Sequence, residues 1–197
     1  MDVTNQPFLL TALCGLAYLA GSVLFAIPVS QAFRLVDPRA LGSHNPGATN
    51  VYRSGGAVPA GLTLLLDALK GALPVALAGY FGFSVFAQAM VALCALTGHM
   101  VPIWYRFQGG KGVATALGCG LVLAPLTTTL LALIWLAILW RWRISALASV
   151  IAIGAGPVIG ALFEPETPRR LGRLAIVIVI RHRNNLIRLA QGRERRF

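Results

Sequence analysis

The sequence predicts an all-α, polytopic integral membrane protein with seven transmembrane helices, and three observations support that fold class. Hydrophobic residues make up 57% of the 197-residue chain, and charged residues make up 12%, about half the share found in soluble domains. Long uncharged stretches recur, and each is long enough to cross a bilayer. The formal net charge of +11 indicates cationic loops that face anionic membrane lipids or bind phosphate, so we expect no nucleic acid partner.

Four of the predicted spans follow directly from the uncharged or nearly uncharged stretches of the sequence. The first contains Gly15, Gly21 and Ser22, small residues that favour close approach of a neighbouring helix. A final helix is predicted to start with Thr167 as its N-cap and Pro168 as its first position, and to run toward Gly192. The four spans are residues 7–29, 57–82, 84–104 and 144–163.

The uncharged stretch 112–140 corresponds to about 43 Å of helix, against about 30 Å of hydrocarbon. It forms either one tilted helix or two short helices that break near Pro125. With two helices, 13 Lys and Arg residues fall on one side of the membrane and three on the other, whereas one helix divides them eight to eight. The positive-inside rule favours the uneven division. It places the N-terminus outside and the C-terminus in the cytoplasm. We expect a single domain over residues 1–197.

The three cysteines show no metal-binding spacing and no even pairing, and each lies in an apolar stretch. We therefore interpret Cys14, Cys94 and Cys119 as small packing residues. We expect neither a metal nor another cofactor.

The polar segment 41–53 carries the first group of candidate site residues. Gly42, Pro46 and Gly47 prevent a regular helix through its first half, and the segment then leads toward the next helix. Hydroxyls, amides, backbone N–H groups and a cation near a helix start suit a phosphate. The alternative is a connecting loop whose polar groups bond only to one another. The candidate residues are Ser43, Asn45, Gly47, Thr49, Asn50 and Arg53.

Two ionisable residues, Asp67 and Lys70, lie on one face of the second predicted span. Such groups are costly inside a bilayer and usually line a polar interior. They form either a structural ion pair or part of the site, and we favour the site.

A glycine-rich segment follows the third span, which ends beyond His99. Gly109, Gly110, Lys111 and Gly112 supply close backbone approach and a cation before a predicted helix start. The segment is not a Walker A motif, because Gly112 stands where Ser or Thr is required. We therefore predict a phosphate site but no nucleoside triphosphatase.

The C-terminal segment 181–189 is basic and amphipathic. On one continuous helix, His182 and Asn185 share a face. The segment is either an interfacial helix that reaches lipid headgroups or the third part of the site.

These three polar segments are predicted to converge on the cytoplasmic face and to bind a phosphate compound. The sequence has no Gly-x-Ser-x-Gly motif and no carboxylate pair on one loop. A transporter or channel for a phosphorylated anion is the alternative function. Internal repeats are common in transporters, and no such repeat is visible in this sequence.

The combined motifs resemble those of the bacterial acyl-phosphate:glycerol-3-phosphate acyltransferases, the PlsY family. The resemblance extends over nearly the whole chain, with one departure at His44, where the family has glycine, and another after Ser22, where it has proline. The matching motifs are Gly42-Ser43-x-Asn45-Pro46-Gly47-Ala48-Thr49-Asn50-Val51-x-Arg53, Asp67-x-x-Lys70-Gly71, Gly98-His99 with Gly109 to Thr115, and His182-Arg183-x-Asn185 with Gly192-x-Glu194.

The resemblance implies an inner-membrane enzyme that moves an acyl group from acyl phosphate to the sn-1 hydroxyl of glycerol 3-phosphate, giving lysophosphatidic acid. It implies that Arg53 and Lys111 hold phosphate charge, and that His182 and Asn185 orient glycerol 3-phosphate. Catalytic roles are expected for Ser43, Arg53, Lys111, His182 and Asn185. Substrate binding is expected for Asn45, Gly47, Thr49, Asn50, Asp67, Lys70, His99, Gly109, Gly110 and Gly112.

Overall fold

The computed structural model describes residues 7–165 and 167–196, without the side chains of residues 167–170, and within these ranges it is helical with no strand. This confirms the predicted all-α class. The helices are α1 (Pro7–Gly21), α2 (Ala26–Ala32), α3 (Ala48–Gly55), α4 (Ala57–Tyr80), α5 (Val85–Met100), α6 (Val113–Leu123), α7 (Pro125–Trp142), α8 (Ser145–Phe163), α9 (Thr167–Arg181) and α10 (Arg183–Ala190), with a 3₁₀ turn at Ile103–Tyr105.

Four stretches of helix among the described residues are long and apolar enough to cross a membrane. They are α4, α5 together with the turn that follows it, α7 and α8. A fifth crossing results if α1 and α2, which meet at a bend of 42°, count as one span. The predicted total of seven spans stays a prediction.

The first predicted span, residues 7–29, is wrong as one continuous helix, because the chain breaks between α1 and α2. Pro28 explains the position of the break. Proline lacks an N–H and its ring clashes with the carbonyl four residues earlier, which here belongs to Leu24. The helix therefore restarts at Ala26, and Val23 and Leu24 lie outside both helices.

The stretch 112–140 forms two helices, as the cation count predicted. The α6 helix ends at Leu123, and α7 begins at Pro125, which occupies a first-turn position where proline is tolerated. With 11 residues, α6 is about 17 Å long, about half the thickness of the hydrocarbon core.

The last predicted helix is also wrong as one continuous element, because it is interrupted at His182 between α9 and α10. The imidazole Nδ1 of His182 bonds to the carbonyl oxygen of Ile178 at 2.9 Å. The same carbonyl still accepts from the backbone N–H of His182 at 3.1 Å, so the ring and the helix backbone share this acceptor. The helix begins at Thr167, and the proposed capping side chains of Thr167 and Pro168 lie outside the described residues.

The chain divides into two compact units between Val122 and Leu123. In the first unit, α1 and α5 cross closely. A methyl group on Gly21 would lie 2.1 Å from the carbonyl oxygen of Ala95, and one on Gly98 would lie 2.2 Å from that of Tyr18. Gly21 therefore has the predicted packing role, whereas Gly15 does not, because an added Cβ there has no neighbour within 4 Å.

The same unit contains a second close crossing, between α4 and α6. A methyl group on Gly118 would lie 1.9 Å from the carbonyl oxygen of Ala68, and one on Gly71 would lie 2.3 Å from that of Thr115. Small residues are the usual means by which membrane helices approach closely, because lipid offers no hydrophobic driving force for association. This crossing fixes the start of α6 beside the polar part of α4.

The second unit is built on the antiparallel pair α7 and α8, with α9 and α10 packed against α8. The indole N–H of Trp135 donates to the hydroxyl of Ser149 at 3.0 Å. At the other end of the pair, the carboxylate of Glu164 accepts from the backbone N–H of Thr127 at 2.7 Å, at the start of α7.

Candidate active site

The loop before α3 is held in shape by the buried side chain of Asn50. Its Nδ2 donates to the carbonyl oxygens of Pro38 and Leu41, and its Oδ1 accepts from the backbone N–H of Ser43 at 3.3 Å. Gly42 has φ +58°, and an added methyl there would lie 2.3 Å from the Asn50 Oδ1. The amide that the sequence offered as a substrate ligand thus bonds to its own loop.

His44 shows how this chain tolerates its departure from the family pattern. Its φ is +56°, the left-handed region that favours glycine. Its Nδ1 lies 2.9 Å from the carbonyl oxygen of Arg39. Since a carbonyl can only accept, Nδ1 carries the proton, and this hydrogen bond compensates for the strained backbone.

A local ion pair supports the same loop. The guanidinium of Arg39 forms two parallel bonds to the carboxylate of Asp37, the shorter at 2.7 Å. Hydrogen bonding to Arg39 holds the pKa of Asp37 below its usual value, although partial burial opposes the effect. Arg39 also lies over the ring of Tyr105, 5.5 Å from its centre, so the loop touches the segment that leads to the glycines.

The predicted polar side chains of this loop differ in exposure. Ser43 and Arg53 are exposed, whereas Asn45 and Thr49 are half-buried. The backbone at Gly47 is extended and α3 begins at the next residue, without a side-chain cap. A helix thus begins inside the segment, at Ala48, whereas the sequence predicted only that the segment leads toward the next helix.

The glycine-rich segment packs on the end of α5. The N–H of Gly110 donates to the carbonyl oxygen of His99 at 3.0 Å. A methyl group on Gly109 would lie 2.1 Å from that oxygen, and one on Gly110 would lie 2.2 Å from the Nε2 of His99. Both positions therefore require glycine, and α6 starts just after Lys111 and Gly112, as predicted.

Asp67, Lys70 and His99 form one buried cluster between α4 and α5. The Nζ of Lys70 lies 2.7 Å from the Oδ1 of Asp67 and 2.9 Å from the Nδ1 of His99. It also donates to the carbonyl oxygen of Val23 and lies over the ring of Phe25. The cluster has no net charge when His99 is neutral, which reduces the cost of burying its ions.

In the second unit, His182 and Asn185 are both buried, and each has a hydrogen-bond partner of its own. Because the Nδ1 of His182 donates to a carbonyl, the neutral ring has its acceptor lone pair on Nε2. The Nδ2 of Asn185 donates to Glu194 at 2.8 Å, and the other oxygen of Glu194 accepts from the Nε of Arg188, also at 2.8 Å.

The structure thus assembles the predicted residues in two places. Within the first unit, Asp67 and Lys70 pair beside His99, which contacts the glycine-rich segment. The first loop reaches the residues before that segment through Arg39. Within the second unit, His182 and Asn185 lie one turn apart at the start of α10. Convergence of all three polar segments on one face stays a prediction.

Sequence reasoning missed Glu194 and the pair of Asp37 and Arg39. Glu194 was quoted in a motif but given no role, although its spacing from Asn185 across a glycine turn was a usable signal. An arginine two residues after an aspartate, with a proline between them, was a similar signal.

Each carboxylate in the described ranges is engaged by a partner from its own chain. Asp37 pairs with Arg39, and Asp67 pairs with Lys70. Glu164 accepts from the backbone of α7, and Glu194 holds two side chains. Chemistry that uses one of these four carboxylates as general base would have to break its contact.

Comparisons with known proteins agree over the length of the chain. A family model described as glycerol-3-phosphate acyltransferase matches residues 11–192. The glycerol-3-phosphate acyltransferases of Hahella chejuensis (strain KCTC 2396) and Neisseria gonorrhoeae (strain NCCP11945) are 48% and 47% identical to it. The matches cover 97% and 90% of this chain, and 98% and 92% of theirs.

Two crystal structures of PlsY (YgiH), an integral membrane glycerol 3-phosphate acyltransferase, share the fold. One is the glycerol 3-phosphate form, with a TM-score of 0.86 and 37% identity. The other is the lysophosphatidic acid form, with a TM-score of 0.85 and 36% identity. Each match covers 95% of both chains. The chain therefore belongs to the glycerol-3-phosphate acyltransferase family.

Proposed function

We propose that this acyltransferase moves a fatty acyl group from acyl phosphate to the sn-1 hydroxyl of glycerol 3-phosphate, in phospholipid biosynthesis. The acceptor follows from the family and from the glycerol 3-phosphate form of the PlsY structure. The product is lysophosphatidic acid, the ligand named for the other PlsY structure, and inorganic phosphate is released.

The resemblance of the motifs to the acyl-phosphate family carries the choice of donor, and the engagement of the described carboxylates supports it. Asp67 and Glu194 are held by partners, so a donor that needs no carboxylate base suits this site. Acyl phosphate is a mixed anhydride, so its carbonyl is already activated and phosphate is a good leaving group. An enzyme for such a donor needs positioning and charge stabilisation more than a powerful nucleophile.

In the proposed step, the sn-1 oxygen attacks the acyl carbon and forms the new ester bond. The bond from that carbon to the phosphate oxygen breaks, and its electron pair leaves with phosphate. The hydroxyl proton passes to the leaving phosphate or to the Nε2 of His182. The tautomer set by the Ile178 carbonyl supports an acceptor at that nitrogen.

The proposed roles follow from side-chain chemistry. Arg53 and Lys111 hold phosphate charge, and Ser43 stabilises the acyl phosphate or the developing oxyanion. His182 and Asn185 orient the acceptor. Substrate contacts are proposed for the side chains or backbone of Asn45, Gly47, Thr49, Gly109, Gly110 and Gly112.

We further propose a single domain with seven spans in the bacterial inner membrane, with the N-terminus outside and the site facing the cytoplasm. The uneven distribution of Lys and Arg supports this orientation. Cysteine accessibility labelling in intact cells and in inverted vesicles tests it. Labelling of the 109–112 and 182–185 segments from opposite sides would refute it.

The decisive experiment is incubation of the purified protein with acyl phosphate and glycerol 3-phosphate, with acyl-CoA as the control donor. We expect lysophosphatidic acid acylated at sn-1, identified by mass spectrometry and positional analysis, from acyl phosphate only. Transfer from acyl-CoA alone would overturn the proposed donor. Lys111→Ala and His182→Ala should each abolish transfer in protein that still inserts and folds, and full activity in both would overturn the proposed sites.

A further inference from the structure

The ammonium of Lys70 is enclosed by partners from its own chain. It hydrogen-bonds to the carbonyl oxygen of Val23 and to the Nδ1 of His99. It also forms an ion pair with the Oδ1 of Asp67. The Lys70 side chain is only 3% exposed. A substrate phosphate could bind this lysine only by displacing one of these partners.

The same contacts define the tautomer of His99. Charged lysine can only donate, so the Nδ1 of His99 accepts and the ring proton sits on Nε2. That nitrogen faces the glycine-rich segment, because a methyl group on Gly110 would lie 2.2 Å from it. The N–H of Gly110 in turn donates to the backbone carbonyl of His99 at 3.0 Å. Lys70 therefore reaches the loop through an oriented imidazole ring.

The carbonyl of Val23 extends the connection to the break in the first apolar segment. Val23 lies between α1 and α2, outside both helices. A backbone carbonyl in a hydrocarbon environment must find a protein donor, and Lys70 supplies one. One cation thereby ties together the α1–α2 break, α4 and α5, on which the loop rests.

We infer that Lys70 is a positioning residue, and that Asp67 and His99 act with it to fix the glycine-rich segment and hence Lys111, without touching substrate. This inference rests on the proposed function, and it replaces the expected substrate contact of these three residues with an indirect role. A shift of Lys111 by about 1 Å would be enough to cost about 100-fold in rate.

A double-mutant cycle tests the inference. The first change is the pair Asp67→Asn/Lys70→Met, because removal of the lysine alone would leave a buried, unpaired carboxylate. The second change is Gly110→Ala, whose methyl group collides with the His99 ring and displaces the same loop. If both changes act by moving the loop, each lowers kcat/KM, and together they cost little more than the larger one alone.

The matched control is Gly61→Ala, on the same helix as Lys70, where an added Cβ has no neighbour within 4 Å. It should leave kcat/KM within about twofold of the wild type, and its effect should multiply with that of the charge-pair variant. If the fold-losses of kcat/KM caused by Gly110→Ala and by the charge-pair variant also multiply fully, Lys70 acts independently of the loop and the inference is overturned.

A measurement on the wild type decides the question even if the charge-pair variant does not fold. Nitrogen-15 NMR of the histidine side chains distinguishes tautomers, and the chain has only three histidines. His44→Gly and His182→Gln assign two of the signals. The third, from His99, should be the Nε2–H tautomer and should persist at saturating glycerol 3-phosphate. Loss of that signal on binding would mean that Lys70 leaves His99 for the substrate, and would overturn the inference.

Failure of the proposed function is separable from failure of this inference. If the wild type shows the expected His99 signal but transfers no acyl group from acyl phosphate, the donor assignment fails and the positioning geometry stands. If the wild type is active and the fold-losses of kcat/KM from the two changes multiply fully, only the positioning role fails.

Discussion

Replacement of Asn50 by alanine should disorder the loop that carries Ser43 and lower activity about 60-fold. The substitution removes three hydrogen bonds. The carbonyl of Pro38 is buried and would lose its partner, at a cost of about 2 kcal/mol. Water can reach the other two groups, the carbonyl of Leu41 and the backbone N–H of Ser43, because both residues are exposed. Loss of each of these two hydrogen bonds therefore costs about 0.5 kcal/mol.

Alanine has the higher helix propensity and recovers about 0.5 kcal/mol in α3. The balance for Asn50→Ala is therefore about 2.5 kcal/mol against the ordered loop, which corresponds to the effect of about 60-fold. Asn50→Asp should cost at least as much, although it has nearly the same shape. Aspartate still accepts from Ser43, but it turns an oxygen toward the carbonyls of Pro38 and Leu41.

The assay combines kcat/KM for acyl transfer with hydrogen exchange of residues 38–43. Both Asn50 variants should speed exchange of the Ser43 amide, whereas loss of a substrate ligand alone would not. The exposed Asn184→Ala serves as the matched control and should change neither quantity. Wild-type kcat/KM and wild-type exchange in either Asn50 variant would refute the reasoning.

Three further predictions concern helix packing, the pH dependence of stability and the hydrogen bond between Asn185 and Glu194. Gly21→Ala should destabilise the fold by about 1–3 kcal/mol and so lower the Tm in detergent, because the added methyl group collides with the backbone of α5. Gly15→Ala on the same helix should not lower the Tm. Equal Tm values for the two variants would contradict the described helix crossing. The depressed pKa of Asp37 means that its ion pair stabilises the fold at neutral pH and that this contribution disappears as the pH falls through the folded-state pKa. The small Tm difference between the wild type and Asp37→Asn should therefore shrink as the pH falls below about 4, and a difference that grows would contradict the assignment. Glu194→Ala should lower kcat/KM about 10-fold more than Glu194→Gln does, because glutamine keeps an oxygen that accepts from Asn185. If steady-state assays give similar losses of kcat/KM for the two variants, this hydrogen bond does not matter for activity.

Much of the fold was predictable because it depends on patterns within single segments. The break before Pro125 followed from the length of one apolar stretch and from the distribution of cations. The start of α6 after Gly112 followed from local turn chemistry. Both signals lie within a few residues of the feature that they predict.

The errors arose where a side chain bonds to a backbone group that the pattern does not reveal. The span 7–29 was predicted without a break, although Pro28 cannot donate to the carbonyl of Leu24 and its ring clashes with that carbonyl. His182 was expected within one continuous helix, whereas it lies between two helices, and its ring shares the carbonyl of Ile178 with its own backbone N–H.

The role of Asn50 was equally hidden, because an amide in a polar loop has the same appearance whether it binds a ligand or its own backbone. The acceptors of Lys70 could not be inferred either. Val23 and His99 are 47 and 29 residues away in sequence, so only the packing of three helices brings them together.

The mutual neutralisation of Asp67 and Lys70 has a consequence for how a dianion reaches the enzyme. A compensated pair deep in the protein projects almost no field into the surrounding water. With the proposed roles, long-range attraction comes from cations nearer the surface, such as the exposed Arg53 and the half-buried Lys111. These cations are open to screening by mobile ions. Capture of glycerol 3-phosphate should therefore slow as ionic strength rises, while the buried pair remains shielded from the added salt.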